Sequence, residues 1–401
     1  MTGDLSAAVR AAVGAVTDPE LRRPLAELDM VRGVEVDGTV AHVHIALTIV
    51  GCPAADRISR EVTDAAASVP GIDDVDLSVG VMTPAERQAL TERLRGGRAA
   101  RQMPFGPDSL TRVVAVTSGK GGVGKSTLTA NLAVALAARG LAVGLIDADV
   151  HGFSIPALLG LTDDDGRPPA PTRIDDLMLP PVAYGVKTIS IGMFLPRDQP
   201  ASAAVAWRGP MLHRTVSQFL TDVFFGDLDI LLIDMPPGTG DVAISVGQLL
   251  PHADVLVVTT PQTAASGVAV RSGLVAAQTG QRVIGVVENM AAMTLPDGTT
   301  LDLFGSGGGA AVAAALSATA GADAGRADAA GADTAGPDAG SVPLLASVPL
   351  SPALRRGGDA GVPVVVAEPT DPAAVQIARV ADALAMHPRG LARRPLPFTP
   401  R

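Results

Sequence analysis

The chain has 401 residues, with 31 Lys+Arg against 41 Asp+Glu, a net charge of -10 at pH 7 and a single cysteine, Cys52. That acidic balance excludes a sequence-independent nucleic-acid binder, which needs a basic footprint, and one cysteine excludes both an intrachain disulfide and a cysteine cluster built from one chain. Although 47% of residues are hydrophobic, no run reaches the ~18 apolar residues of a membrane span. The opening "MTGDLSAAVRAAVGAV" carries Asp4 and Arg10 where a signal peptide has an apolar core, so the expected location is the cytoplasm.

Residues 1–95 read as a small α+β domain. "LSAAVRAAVGAV" has helical apolar spacing, and "VRGVEVDGTVAHVHIAL" alternates like two strands joined at Asp37-Gly38, a strong hairpin signal. "ADRISREVTDAAASV" predicts an amphipathic helix and "VDLSVGV" a third strand. His42 and His44 share one strand face, as metal ligands can, but without a third ligand nearby they read as an ordinary half-exposed strand. Residues 96–109, within "LRGGRAARQMPFGPDS", form the expected linker.

From 110 to 390 the rhythm changes. The apolar runs "VVAVT", "AVGLID", "DILLID", "VLVVTTP", "VIGVVEN" and "VPVVVAEP" alternate with helical stretches. Strands buried on both faces look like this, so the fold class is α/β: a doubly wound, mostly parallel sheet whose ligands bind at the carboxyl ends of the strands. The Ala/Gly/Asp-rich segment 317–341 reads as a disordered insertion. Residues 391–401 read as a flexible tail, and the proline-broken "HPRGLARRPLPFTPR" cannot form a membrane-docking amphipathic helix.

"VVAVTSGKGGVGKSTLTANLAVALAARG" is strand, glycine loop, then helix, and Gly119 to Ser126 fits G-x-x-x-x-G-K-[ST]. In such a loop Gly119, Gly121, Gly122, Val123 and Gly124 turn backbone N–H groups onto phosphate oxygens of ATP. Lys125 reaches the β- and γ-phosphates, and Ser126, followed by Thr127, holds Mg²⁺. Lys120 is a second lysine in the same loop: either a solvated side chain, or a cation for charge that develops between the β- and γ-phosphates. Asp147 and Asp149 lie on one face where the strand within "GLAVGLIDADVHG" ends. Asp234 ends the strand "DILLID" within "DILLIDMPPGTGD", where a carboxylate orients the Mg²⁺ shell. His151 follows close behind Asp149 and has no assigned role.

"KGGVGKST" resembles the deviant Walker A loop of the ATPases that include the MinD, ParA, nitrogenase iron-protein and Mrp groups. The resemblance implies an ATP-sandwich homodimer in which Lys120 crosses to the partner's nucleotide. It further implies that Asp149 positions the attacking water with support from Asp147, that "PPGTGD" senses the γ-phosphate, and that Asn289 of "VVENM" binds adenine. With "IDADVHGFSIPALLG", "FGSGGG" and "SVPLSPALRRGGDAGVP", the stretch from Leu110 to Ala385 looks like the Mrp/ApbC branch. The unit with "LTIVGCPAAD" resembles the small domain fused to such ATPases and found alone in iron–sulfur assembly proteins.

Members of that branch are regarded as ATP-gated iron–sulfur cluster carriers. The implied function is therefore an ATP-hydrolysing homodimer that binds, transfers or helps deliver clusters to apo-client proteins alongside the assembly machinery. The family's Cys-x-x-Cys after "ENM" is missing: Thr294, Leu295, Pro296 and Asp297 stand in a stretch without cysteine. A soft cluster wants thiolates. Only Cys52 remains, as a cluster ligand or as a small buried residue. The alternative is an ATP-switched regulator or scaffold that has lost cluster binding. A MinD- or ParA-type positioning role would need a membrane helix or a basic DNA-binding surface, and neither is evident in the sequence.

Overall fold

The computed structural model describes residues 2–49, 52–96, 103–149, 152–195, 209–295, 297–329 and 341–386. They divide into two compact units. The first gathers Met1–Gln102, Pro171–Val182 and Thr221–Gly226; the second gathers Met103–Ala170, Ala183–Leu220 and Asp227–Arg401.

The first unit opens with helix α1 (Thr2–Ala15), the hairpin β1 (Val31–Asp37) and β2 (Val40–Leu47), helix α2 (Ala55–Ala67), strand β3 (Asp74–Val81) and helix α3 (Pro84–Leu94). Gly38 takes the left-handed φ of 62° that the predicted turn demands. β2 pairs antiparallel with β1 and parallel with β3. Its alternation sends Ala41, Val43 and Ile45 into the core, while Ile58, Val62 and Ala66 form the buried stripe of α2. Helix α3 was not expected, yet its start is written in the sequence. Thr83 and Glu86 form a capping box, with the Glu86 N–H donating to Thr83 Oγ1 and the Thr83 N–H to Glu86 Oε2.

The second unit continues with β4 (Arg112–Ser118), α4 (Lys125–Ala137), β5 (Val143–Asp147) and α5 (Ile155–Leu158). The chain then leaves for a hairpin, β6 (Thr172–Ile174) and β7 (Leu177–Leu179), which belongs to the first unit. It returns through β8 (Val182–Ala183), β9 (Val186–Ser190), α6 (Gly209–Thr221), β10 (Ile230–Asp234), α7 (Asp241–Leu249), β11 (Asp254–Thr259), α8 (Thr263–Gln278) and β12 (Arg282–Ala291). The short hairpin β13 (Met293–Thr294) and β14 (Thr300–Leu301) precedes α9 (Gly308–Ala329), β15 (Leu344–Pro349), α10 (Pro352–Ala360), α11 (Val364–Ala367) and α12 (Pro372–Ala385). The large sheet has the order β15-β12-β11-β4-β10-β5-β9-β8. From β15 to β9 every neighbouring pair runs parallel. β5, β10 and β11 are buried along their whole length, which is why they are written as unbroken apolar runs.

Three expectations are corrected. "VPVVVAEP" contains the short helix α11 rather than a strand, and the last strand of the sheet in chain order is β15, at one of its two edges. A short buried apolar run does not distinguish the two states, and here Pro363 starts a turn whose Val364 is buried. Segment 317–341 is not disordered where it is described: residues up to Ala329 extend α9, as their high alanine content favours, and 330–340 lie outside the described residues. The tail 391–401 also lies outside them.

The third correction concerns the domain boundary, which the linker alone does not define. Ile174, Leu177, Leu179 and Phe224 join the apolar core built by α1, α2 and the β1–β3 sheet. Arg95 pairs with Asp176 at 2.7 Å, and the Phe224 N–H donates to the Met178 carbonyl at 2.8 Å. Leu177 is only 3% exposed, so Leu177→Ala is expected to cost about 2–5 kcal/mol. Faster amide exchange in β1 and β2 would show that loss, and unchanged protection there would remove the hairpin from this core.

Candidate nucleotide site

The loop Thr117–Thr127 runs from the central strand β4 into α4, and its glycines serve backbone conformation at some positions and space at others. Gly122 and Gly124 have φ of 77° and 78°, which side-chain-bearing residues avoid. A Cβ on Gly119 would collide with the Val268–Ala269 backbone of α8, and one on Gly124 with the Asn289 amide. Val123 is a buried anchor, and the Gly238 N–H donates to the Ser118 carbonyl at 2.8 Å, laying the "PPGTGD" loop beside the phosphate loop. Lys125, Ser126 and Thr127 form the first turn of α4, where free backbone N–H groups and the helix dipole favour an anion.

Parallel pairing brings the carboxylates together, for Asp234 at the end of β10 is the register partner of Asp147 at the end of β5. Lys125 Nζ lies 2.7 Å from Asp234 Oδ1. Ser126 Oγ donates to Asp234 Oδ2 at 2.6 Å and Thr129 Oγ1 to Oδ1 at 2.9 Å. Both aspartates are fully buried. Burial raises the pKa of each; Asp147 is pushed up further by the charge of Asp234, whereas Lys125 and the two hydroxyls pull Asp234 back down. Asp147 accepts from Ser190 Oγ at 2.9 Å and from the backbone N–H groups of Asp149 and Ile155. Asp149 accepts from the Gly152 N–H at 3.1 Å. The Ser126 hydroxyl and the Asp234 carboxylate are hard oxygen donors within hydrogen-bond distance of each other, a donor set that fits Mg²⁺ completed by water and phosphate oxygens.

Lys120 stands apart from this cluster, with Nζ donating to Gln262 Oε1 at 2.8 Å. Asn289 is buried, and its Nδ2 donates to the Val123 carbonyl at 2.8 Å, so here it braces the phosphate loop from behind. Thr129, Ser190, Gln262 and Glu288 were missed. Glu288 Oε2 accepts the Gly309 N–H at 2.6 Å, and a Cβ on Gly308 would strike the carbonyls of Thr260 and Pro261. Close packing at the start of α9 therefore accounts for Gly308 and Gly309 of "FGSGGG", whereas Gly305 and Gly307 take left-handed φ of 82° and 79°.

The other sequence candidates lie elsewhere. Thr294, Leu295 and Asp297 belong to the β13–β14 hairpin, whereas Pro296 and His151 are outside the described residues. His42 Nδ1 lies 3.0 Å from Asp76 Oδ2 and His44 Nδ1 2.7 Å from Ser78 Oγ, both pairs exposed across β2 and β3. Among the described residues no group of three or more His, Cys, Asp or Glu is arranged to hold a metal, and no helix is long and apolar enough to cross a membrane.

Cys52 is buried in the first unit, with Sγ 3.9 Å from Glu20 Oε2; Glu20 Oε1 in turn accepts from Thr172 Oγ1 at 2.7 Å. Burial, then the negative charges of Glu20 and Asp18, push the thiol up to about 11. The cluster-free chain therefore holds Cys52 as a thiol, which would have to give up its proton to ligate a cluster. Because the folded state keeps its proton longer than the unfolded chain, Cys52 lowers stability as pH rises from the ordinary thiol range toward 11. At pH 8 the native protein is expected to react with iodoacetamide about a hundredfold slower than after unfolding. Equal rates would show an accessible thiolate.

Strand, glycine loop and helix, with Lys125, Ser126 and Asp234 converging at the strand ends, define a P-loop nucleoside triphosphatase domain. The sequence profile described as NUBPL iron-transfer P-loop NTPase matches residues 109–385, and that of an iron-sulfur cluster assembly protein matches residues 6–79. The chain belongs to the NUBPL-type iron-transfer P-loop NTPase family. It is 52% identical over 401 residues to the iron-sulfur cluster carrier protein of Mycobacterium tuberculosis, covering 99% of this chain and 98% of that one. The protein of the same name from Synechocystis is 37% identical over 377 residues, 92% and 94% of the two chains. A solved nucleotide-binding protein from Archaeoglobus fulgidus, in complex with ADP, is 28% identical over 73% of this chain and 98% of its own, with a TM-score of 0.46.

Proposed function

We propose that the chain is a cytoplasmic, ATP-hydrolysing homodimer that assists the delivery of iron–sulfur clusters to apo-client proteins. The observation that carries the ATPase half is the convergence of Lys125, Ser126 and Asp234 at the end of the phosphate loop. On ATP binding Lys125 exchanges its contact with Asp234 for the β- and γ-phosphates. Ser126 and Asp234 would hold Mg²⁺, which would supply neutralisation of charge on the phosphate oxygens. Asp149, oriented through its backbone on Asp147, directs the attacking water, and Lys120 reaches the nucleotide of the second subunit. The delivery half rests on the names of the relatives and on the matched assembly domain.

The cluster itself is cargo. With the 290–309 stretch lacking cysteine and Cys52 held as a buried thiol, the chain fits the part of an ATP-driven helper of a cluster-bearing partner better than that of a vessel. The same two facts favour the second reading, an ATP-switched scaffold without cluster handling. Iron and sulfide content, with the visible spectrum, after anaerobic reconstitution of wild type and Cys52→Ala tests this directly. The helper reading expects no stoichiometric cluster in either protein, together with ATP-dependent stimulation of cluster transfer from a loaded donor to an apo-ferredoxin. A cluster present in wild type and lost in Cys52→Ala would make the chain a carrier. No cluster and no stimulation would leave the scaffold.

A further inference from the structure

We infer that Gln262 is the positioning residue for Lys120, latching its ammonium within its own subunit until a second nucleotide-loaded subunit draws it across; this rests on the reading that Lys120 acts in trans. The loop and α8 are fitted against each other, for Gly119 lies so close to the backbone at Val268–Ala269 that no Cβ fits. From this fixed point the Lys120 side chain runs toward the start of α8, and Nζ donates to Gln262 Oε1 at 2.8 Å. Ser118 Oγ donates to the Lys120 carbonyl at 3.1 Å and holds its backbone.

Gln262 is the N-cap of α8, but its side chain caps nothing. Its backbone carbonyl alone accepts the N–H groups of Ala265 and Ser266, at 2.9 and 3.1 Å, and the Ser266 hydroxyl at 3.2 Å. The side-chain oxygen is thereby left to the lysine. This mooring is a weak one by construction. The first turn of α8 contains no acid, and a cation at a helix N-terminus opposes the helix dipole. One neutral acceptor offsets that repulsion, so the triphosphate of a facing subunit, carrying several negative charges, outcompetes it. Lys125 is held quite differently, by the buried carboxylate of Asp234. The two lysines of one loop are thus graded, one locked into the cluster and one on a releasable amide.

The test uses the full chain with Gln262→Glu, Gln262→Leu, Lys120→Ala and the double variant Lys120→Ala/Gln262→Glu. It follows ATP turnover against protein concentration and the ATP-dependent dimer fraction by sedimentation. A carboxylate at 262 turns the latch into an ion pair: kcat is expected to fall about five- to tenfold with KM for ATP unchanged. Raising the salt should restore part of the loss. Leucine removes the latch, so half-maximal turnover should come at a several-fold lower protein concentration. In the Lys120→Ala background the glutamate should leave the dimer fraction where Lys120→Ala alone puts it. A glutamate effect that persists without Lys120, or wild-type behaviour from both single variants at 262, overturns the proposal. Wild-type turnover by Lys120→Ala would overturn the trans reading itself, whatever the Gln262 variants do.

Discussion

Lys125→Ala is expected to abolish ATP turnover and to destabilise the second unit at the same time. Lys125 is 5% exposed, and its ammonium lies 2.7 Å from a carboxylate that is itself completely buried. Asp147 adds a second buried carboxylate in the neighbouring register position. Removing the cation leaves two acids that cannot both ionise in that environment, and breaking a buried pair commonly costs about 3–5 kcal/mol. Protonation of the aspartates relieves part of the cost, so the loss of stability should be larger at pH 8 than at pH 5. The sign follows from the direction of the shifts: the folded state would bind more protons than the unfolded one, and stability falls as pH rises. Turnover should drop by at least about a hundredfold, since a donor aimed at developing charge is lost. Thermal unfolding at the two pH values and a phosphate-release assay measure both effects; a variant that hydrolyses ATP within a few-fold of wild type would show that the loop does not serve phosphate.

Lys120→Ala should separate what Lys125→Ala combines. Lys120 is half-buried, and its side chain makes one hydrogen bond, to the neutral amide of Gln262. Losing that contact costs at most about 1 kcal/mol of stability, and nucleotide affinity should stay close to wild type. Turnover is another matter. A cation supplied in trans to a phosphoryl transfer contributes about 10³–10⁵ in rate, so hydrolysis should fall toward the lower end of that range or beyond it. Binding of a fluorescent ATP analogue, single-turnover hydrolysis and sedimentation with ATP form the set of measurements. Normal hydrolysis by a monomeric Lys120→Ala protein would sink the sandwich reading.

The contrast between these two lysines also marks how far the sequence could be read. The spacing of Gly119, Gly124, Lys125 and Ser126 is local chemistry: a strand, a turn that only glycine can make and a helix start must be adjacent in the chain. Asp234 could be matched because it ends an apolar run, the mark of a doubly buried strand. Thr129 and Ser190 were not recognised, since each becomes a partner of a buried carboxylate only through packing of α4 and β9 around the strand ends. β9 itself was hidden by Lys187, Thr188 and Ser190, polar residues in a strand that is buried at all five positions. Asn289 lies near the end of β12, and its amide turns to the Val123 carbonyl, a choice set by a contact 166 residues away in the chain.

The sequence by itself determined the class of this protein: a phosphate loop, an α/β sheet and a small leading domain. These features rest on short-range patterns, where propensity, periodicity and turn chemistry act within a few residues. Only the tertiary structure decided that residues 171–182 and 221–226 complete the core of the leading domain, that Cys52 is buried against Glu20, and that Lys120 rests on Gln262. The reason is physical. Burial, the pKa of a thiol and the partner of an ammonium depend on which groups from distant parts of the chain exclude water around them, and sequence spacing does not encode that neighbourhood.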